Sequence, residues 1–200
     1  MQILDCRENN EFEKICISLA EKISRHGIKF DIIVGVATGG KYVGDIVKEN
    51  LDVSCQYLVI KRQRSSTTVK KNTLYLRKVI NFLPNLIQNK LRSIEVFVAE
   101  LIFERNKNKN KGLPNAKIEV VQDVVVDRCS EVNILVIDDC VDSGRTLVDV
   151  MNYLHDRFPH GRIKTAALTI THKNPLVFPD FYVLRRGIIK CPWSLDGRRD

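Results

Sequence analysis

The chain lacks any close pair of cysteines. Its six (Cys6, Cys16, Cys55, Cys129, Cys140 and Cys191) are scattered through 200 residues, with no Cys-x-x-Cys spacing and no adjacent histidine. That absence excludes a structural zinc site and fits thiols kept reduced in a cytosol. A long apolar run is lacking too. The most apolar stretch, 94–103, is too short to cross a bilayer and contains Glu95 and Glu100, so no membrane partner is expected. The first ten residues are polar and acidic, unlike a secretory leader. A cytoplasmic protein is the expectation. No internal repeat is present, which sets repeat arrays aside.

What is present suits one domain with a sizeable core and room for an appendage: 200 residues, 44% hydrophobic and 28% charged. The formal net charge of +8 admits nucleic acid, an acidic membrane or a small polyanion as partner. The excess sits in 61–64, 70–71, 105–111 and 185–186. Residues 105–111 read as solvated surface. The others would steer a multiply charged phosphate toward a site. Nucleic acid stays open as a partner without being the favoured one.

Apolar periodicity organises the chain. Residues 11–25 carry Phe12, Ile15, Cys16, Leu19 and Ile23 at helical spacing, with His26-Gly27 as the stop. Residues 31–36 read as a buried strand, Gly39 and Gly40 as a turn, and Lys41 to Glu49 as the next helix. Further strands are predicted at 53–61, 120–126, 134–137 and 165–170, with helices between several of them. The alternation predicts an α/β fold with a doubly wound, mainly parallel sheet, whose ligands sit beyond the carboxyl ends of strands. Residues 35–41 and 138–146 both leave such ends, so they can face one pocket. Between them, at about 70–112, a helical insertion is predicted within a single domain spanning 1–200. Helical patterns at Thr73 to Leu91 and Ser93 to Arg105 suggest a hairpin, with Pro84 kinking or breaking the first arm. Asn106 to Lys111 reads as a polar linker. The apolar faces of this insertion need cover from the core or a second subunit, and a homo-oligomer, dimeric or larger, is expected.

The most informative stretch runs from Asn133 to Leu147. Ile134 to Ile137 is a buried strand in pattern, followed by Asp138, Asp139 and Asp142, and Ser143-Gly144-Arg145-Thr146 then opens a helix near Leu147. A strand passing through a glycine- and hydroxyl-bearing turn into a helix aims backbone N–H groups at an anion. Three carboxylates beside such a cradle would be repulsive alone. They make sense if the ligand also carries hydroxyls and a divalent cation. A ribose phosphate with magnesium (Mg2+) fits. A surface turn rich in Asp would need no such triplet.

This stretch resembles the phosphoribosyl-pyrophosphate (PRPP) signature of the type I phosphoribosyltransferases: apolar strand, two acidic residues, two spacers, Asp, Ser or Thr, Gly, any residue, Thr. The resemblance implies that Asp138 and Asp139 hold the ribose hydroxyls, directly or through Mg2+, and stabilise positive charge developing on the sugar. Asp142 would lie beside the base and exchange a proton with a purine ring nitrogen. Ser143, Gly144, Arg145 and Thr146 would cradle the 5′-phosphate, and Cys140 would be a spacer. Gly35 to Lys41 resembles the pyrophosphate loop, with Ala37, Thr38, Gly39, Gly40 and Lys41 as candidates. Many relatives carry Arg or Lys where Thr38 stands, so Lys41 would supply part of the charge. A plain strand-to-helix connection is the other reading. After the 53–61 strand the family has a loop that closes over PRPP, which nominates Lys61, Arg62 and, less strongly, Arg64 for the pyrophosphate. An exposed basic connector is the alternative there.

The C-terminal third, about 171–200, resembles the hood of the purine subgroup, which handles hypoxanthine, guanine and xanthine. Lys173 would donate to the 6-oxo group of a purine, against the alternative of a solvated loop lysine. Backbone groups near Ile189 would read the base edge. Ile188 stands where an aromatic ring usually stacks on the base. Ser194 follows Pro192-Trp193 where an acidic residue is usual, leaving Asp196 as a metal contact beside Asp138 and Asp139. Trp193 reads equally well as a core aromatic. The implied activity is transfer of ribose 5-phosphate from PRPP to a nucleobase, foremost a 6-oxopurine, with pyrophosphate release in purine salvage. The alternatives are a non-catalytic PRPP- or nucleotide-binding regulator and a transferase for a non-purine acceptor.

Overall fold

The structure, a computed structural model, describes residues 2–7, 10–51, 55–63, 85–110, 116–127 and 130–193. In chain order the elements are β1 (Gln2–Asp5), α1 (Glu11–Ser24), β2 (Ile32–Val36), α2 (Gly39–Leu51), β3 (Gln56–Arg62) and α3 (Asn85–Asn110). They continue with β4 (Ile118–Gln122), β5 (Asn133–Val141), α4 (Arg145–Arg157), β6 (Arg162–Ile170), β7 (Phe181–Arg185) and β8 (Gly187–Lys190). Six strands form one sheet in the order β4-β3-β2-β5-β6-β7, parallel throughout except that β4 runs against β3. The alternating sequence pattern builds the mainly parallel α/β sheet it predicted.

Strand periodicity divides the core between the two sheet faces. On β5, Leu135 and Ile137 pack with Leu19 and Ile23 of α1 and Val43 and Val47 of α2. Ile134 and Val136 point the other way, onto Leu147, Val150 and Leu154 of α4. Both sets are fully buried, which explains the unbroken apolar run of this strand. From β2 the sheet grows outward to β3, and from β5 it grows the opposite way to β6. The β2/β5 border is therefore the switch point where a crevice opens at the carboxyl ends.

Four expectations change. Strand β5 does not stop at Ile137 but stays paired to β6 as far as Val141↔Ile170. Asp138 and Asp139 thus belong to a rigid strand rather than to a loop. Helix α2 begins at Gly39, so both glycines lie in its first turn. The break between Leu91 and Ser93 is absent: α3 is one continuous helix through the supposed 106–110 linker. Nothing from 85 to 110 is Pro or Gly, and Arg92 bonds Glu95 one turn on at 2.7 Å, so no residue interrupts the ladder. Pro84 and the arm before it lie outside the described residues. Lastly, Phe181–Arg185 joins the edge of the main sheet, next to β6. The hood instead has a parallel pair of β8 with β1 (Gln2↔Gly187 through Asp5↔Lys190), a strand too short and polar for its pattern to show. Among the described residues no helix is long and apolar enough to cross a membrane.

Candidate active site

A cavity of about 720 Å³ opens at the switch point. Ala37, Thr38 and Gly39 line it from the loop after β2, and Asp138, Asp139 and Asp142 from the end of β5. The turn of Ser143, Gly144, Arg145 and Thr146 forms one wall, and Ile188 and Ile189 of the hood form another. Arg62 reaches in from the end of β3. Most residues nominated from sequence therefore converge on one space, drawn from four separate segments of chain.

Asp138 is buried, and its Oδ1 accepts the Asp139 N–H at 2.9 Å. Burial, followed by repulsion from Asp139, drives the Asp138 carboxyl well above its ordinary value. Burial also raises Asp139, against opposing hydrogen bonds from Asp138 and the Trp193 indole. Trp193 stacks on Tyr42 at 4.9 Å between ring centroids and takes Phe12 edge-on at 4.7 Å. It is thus a core aromatic and a partner of Asp139 at once. The opposing wall is shaped to this carboxylate, because a β-carbon on Gly39 would fall 2.1 Å from Asp139 Oδ2. Asp142 is exposed, and its Oδ1 accepts from the Thr171 hydroxyl at 2.5 Å and from the Cys140 thiol at 3.3 Å. Burial and the neighbouring carboxylates push the Cys140 thiol well up, so it acts as a donor and not as a nucleophile.

The phosphate-type turn owes its shape to Gly144, which sits at φ 76° as the residue before α4. A side chain there would also meet Val177 N at 2.9 Å. Only glycine meets both demands. The turn is fixed to the segment beyond β6 by the Leu176 N–H, which donates to Ser143 O at 2.8 Å. The first N–H groups of α4 point out of the helix toward this end, as at any helix start.

The other nominees divide. The Ala37–Thr38 peptide is cis, and the Ala37 N–H is taken by Ile60 O at 2.7 Å. Gly40 does not line the cavity; its Cα faces Ile137 O, 2.3 Å from where a β-carbon would stand. Its role in the structure is close packing of α2 on β5. Lys41 likewise lies away from the cavity lining, with Nζ 2.9 Å from Asp45 Oδ2. Lys173 is exposed and off the lining, and its N–H donates to Glu100 on α3. Its neighbours Thr171 and buried His172 face the cavity in its place. Arg64 and Asp196 lie outside the described residues.

Sequence reading missed three contributors. Arg92, Glu95, Val96 and Ala99 bring α3 into the cavity wall, though their i, i+3, i+4, i+7 spacing was visible as a second face of that helix. Thr171 was hidden among ordinary strand-end residues. Asp149 is a charge set into the apolar stripe of Leu147, Val150 and Leu154, and is itself buried. Arg62 Nε donates to Asp149 Oδ2 at 2.6 Å, and Arg145 Nε donates to its Oδ1 at 3.1 Å.

Residues 5–194 match the phosphoribosyl transferase domain family. The chain belongs to that family. No curated protein matches it in sequence. Among solved structures, this phosphoribosyltransferase-family chain is similar to a purine phosphoribosyltransferase from Pyrococcus horikoshii Ot3. The two are 20% identical over 97% of this chain and 95% of that one, with TM-score 0.58. It is also similar to the Helicobacter pylori xanthine-guanine-hypoxanthine phosphoribosyltransferase: 17% identity, 98% and 96% coverage, TM-score 0.62. A third is a hypothetical protein from Neisseria gonorrhoeae with bound ppGpp, at 17% identity, 98% and 92% coverage, and TM-score 0.55. At these identities the likeness is one of fold.

Proposed function

We propose that this phosphoribosyltransferase-family chain transfers the ribose 5-phosphate unit of PRPP to a ring nitrogen of a 6-oxopurine and releases pyrophosphate. One observation carries the reading: Asp138, Asp139 and Asp142 meet the 143–146 turn around a single cavity at the switch point. In the reaction the bond from the anomeric carbon to pyrophosphate breaks as a bond to the base nitrogen forms. The turn and the start of α4 bind the 5′-phosphate through backbone N–H groups and the hydroxyls of Ser143 and Thr146. Asp138 and Asp139 accept the ribose hydroxyls and face the positive charge growing on the sugar. Asp142, steadied by Thr171 and Cys140, exchanges the proton of the acceptor base. Thr38, Gly39 and Arg62 take the pyrophosphate side, with Ile188, Ile189 and His172 around the base.

Two adjacent carboxylates that burial pushes upward, Asp138 further by repulsion from Asp139, suit a site that also receives a cation. Asp138 and Asp139 form a pair, and no larger group of metal-ligating side chains gathers among the described residues. Mg2+ fits such a pair, because it keeps waters and substrate oxygens for its remaining positions. When bound, it would neutralise charge on the departing pyrophosphate.

Assembly as a homo-oligomer belongs to the same proposal, supported by the exposed Ile94, Phe97, Leu101 and Ile102 on α3. So does a cytoplasmic setting, supported by the free cysteines among the described residues. A second reading, a nucleotide-binding regulator, is supported by the ppGpp carried by the Neisseria gonorrhoeae protein. A non-purine acceptor is the third, supported by Ile188 in place of a stacking ring. Pyrophosphate release from PRPP and Mg2+ with a panel of bases tests all three. Turnover with hypoxanthine, guanine or xanthine supports the first reading. PRPP affinity with no turnover on any base favours the regulator, and turnover on other bases alone favours the third.

A further inference from the structure

The two arginines at the cavity are not independent. Arg62 ends a central strand and Arg145 begins a helix, 83 positions apart in the chain, yet both dock by Nε on one carboxylate. Asp149 is 1% exposed, and its side chain touches no solvent at all. A carboxylate so buried is costly unless paired on both oxygens, and here each oxygen receives one guanidinium. The arginine side chains, by contrast, keep 23% and 17% of their surface open and line the cavity. The arrangement therefore places a fixed anion beneath and two oriented cations above. A lone surface arginine would lose rotamer freedom on meeting a phosphate. An arginine already fixed through Nε gives up less, and its planar fork stays aimed.

We propose that Asp149 is a positioning residue that locks Arg62 and Arg145 into one clamp for the anionic groups of the substrate. The clamp spans the pyrophosphate side, reached from β3, and the 5′-phosphate side, reached from α4. Asp149 touches no substrate; it acts only through the arginines. The proposal rests on the PRPP reading for its substrate, but its probe can be simpler, because inorganic pyrophosphate carries the same charged groups.

Calorimetric titration of wild type and Asp149→Asn with Mg2+–PRPP, and separately with Mg2+–pyrophosphate, tests it. Both ligands are expected to bind about tenfold or more weakly to Asp149→Asn, the scale of losing one well-aimed charged hydrogen bond. Where turnover is measurable, KM for PRPP rises more than kcat falls, a split that general loss of structure would not produce. In an Arg62→Gln background the further effect of Asp149→Asn should shrink, because the clamp is already open. Undiminished affinity of Asp149→Asn for both ligands overturns the clamp. Should that variant not fold, Arg62→Gln carries the test. The clamp then predicts loss of pyrophosphate affinity in Arg62→Gln, and retention overturns it. Pyrophosphate binding that depends on Asp149, with no response to PRPP in wild type, upholds the clamp while removing the PRPP reading. Wild type that binds neither ligand overturns both.

Discussion

Glu100 on α3 holds Arg186 with both carboxylate oxygens, at 2.8 and 2.7 Å from the same Nη1. Arg186 joins β7 to β8 in the left-handed region, at φ 60°, and the same Nη1 also donates to Thr171 O at 2.9 Å. A buried carboxylate of α3 thereby ties that helix to the segments around Thr171 and Ile188 that wall the cavity. Glu100→Gln is expected to lower stability by roughly 1–3 kcal/mol, as for other buried charged hydrogen bonds that lose a partner. Chemical denaturation at neutral pH checks this.

The same group sets a pH dependence. Burial alone would raise Glu100, but hydrogen bonds from Arg186 and the Lys173 N–H outweigh it and hold the carboxyl below its ordinary 4.5. A lowered folded value contributes stability that is complete above the unfolded value and is lost as pH falls through the folded one. Wild type should therefore lose more stability than Glu100→Gln on acidification from pH 5 downward. Parallel melting curves in that window would reject the pairing.

Asp142→Asn should separate chemistry from binding. Loss of a positioned proton acceptor costs about 10²–10⁴ in turnover. PRPP affinity should persist, since Asp142 contacts Thr171 and Cys140 rather than the phosphate turn. Single-turnover rates together with PRPP titration distinguish this from collapse of the site.

Neighbouring glycines should fail in different ways. A methyl group at Gly40 meets backbone, Ile137 O at 2.3 Å, which can yield only if α2 lifts from β5. Gly40→Ala should cost about 1–3 kcal/mol of stability, typical of overpacking. At Gly39 the obstacle is the Asp139 side chain, which can swing aside. Gly39→Ala should melt closer to wild type yet bind PRPP poorly. Thermal denaturation and PRPP titration on both variants check the contrast, and equal melting losses would contradict it.

Mg2+ removal should weaken PRPP binding in wild type. It should have much less effect once Asp138 and Asp139 are both Asn, because the cation then loses the carboxylate pair proposed to hold it. Titrations with and without chelator measure the difference.

The sheet and the heart of the site were legible because they depend on short-range pattern. Ile134 to Ile137 announces a strand buried on both faces, and the Asp138-to-Thr146 spacing places carboxylates and turn together. Lys41 and Gly40 were less legible, since one turn of helix decides whether a side chain faces the cavity or its neighbour Asp45. The position of Lys173 depends on Glu100, 73 residues earlier, and no local signal reports that contact. Strand β1 escaped notice for a similar reason. Its four residues gain their conformation from β8, nearly the full chain away. Continuity of α3 was readable in the absence of Pro and Gly from 85 to 110, although the two helical patterns meeting at Leu91 and Ser93 suggested a hairpin.

The pairing of β1 with β8 also makes one wall of the cavity depend on two segments far apart in the chain. Ile188 and Ile189, which line the cavity, find their partners in Ile3 and Leu4. The 143–146 turn is tied to Leu176 beyond β6, so that wall of the cavity depends on neither β1 nor β8. The wall formed by Ile188 and Ile189 instead needs β1 in place, so deleting residues 2–5 should loosen that wall while leaving the phosphate-type turn intact.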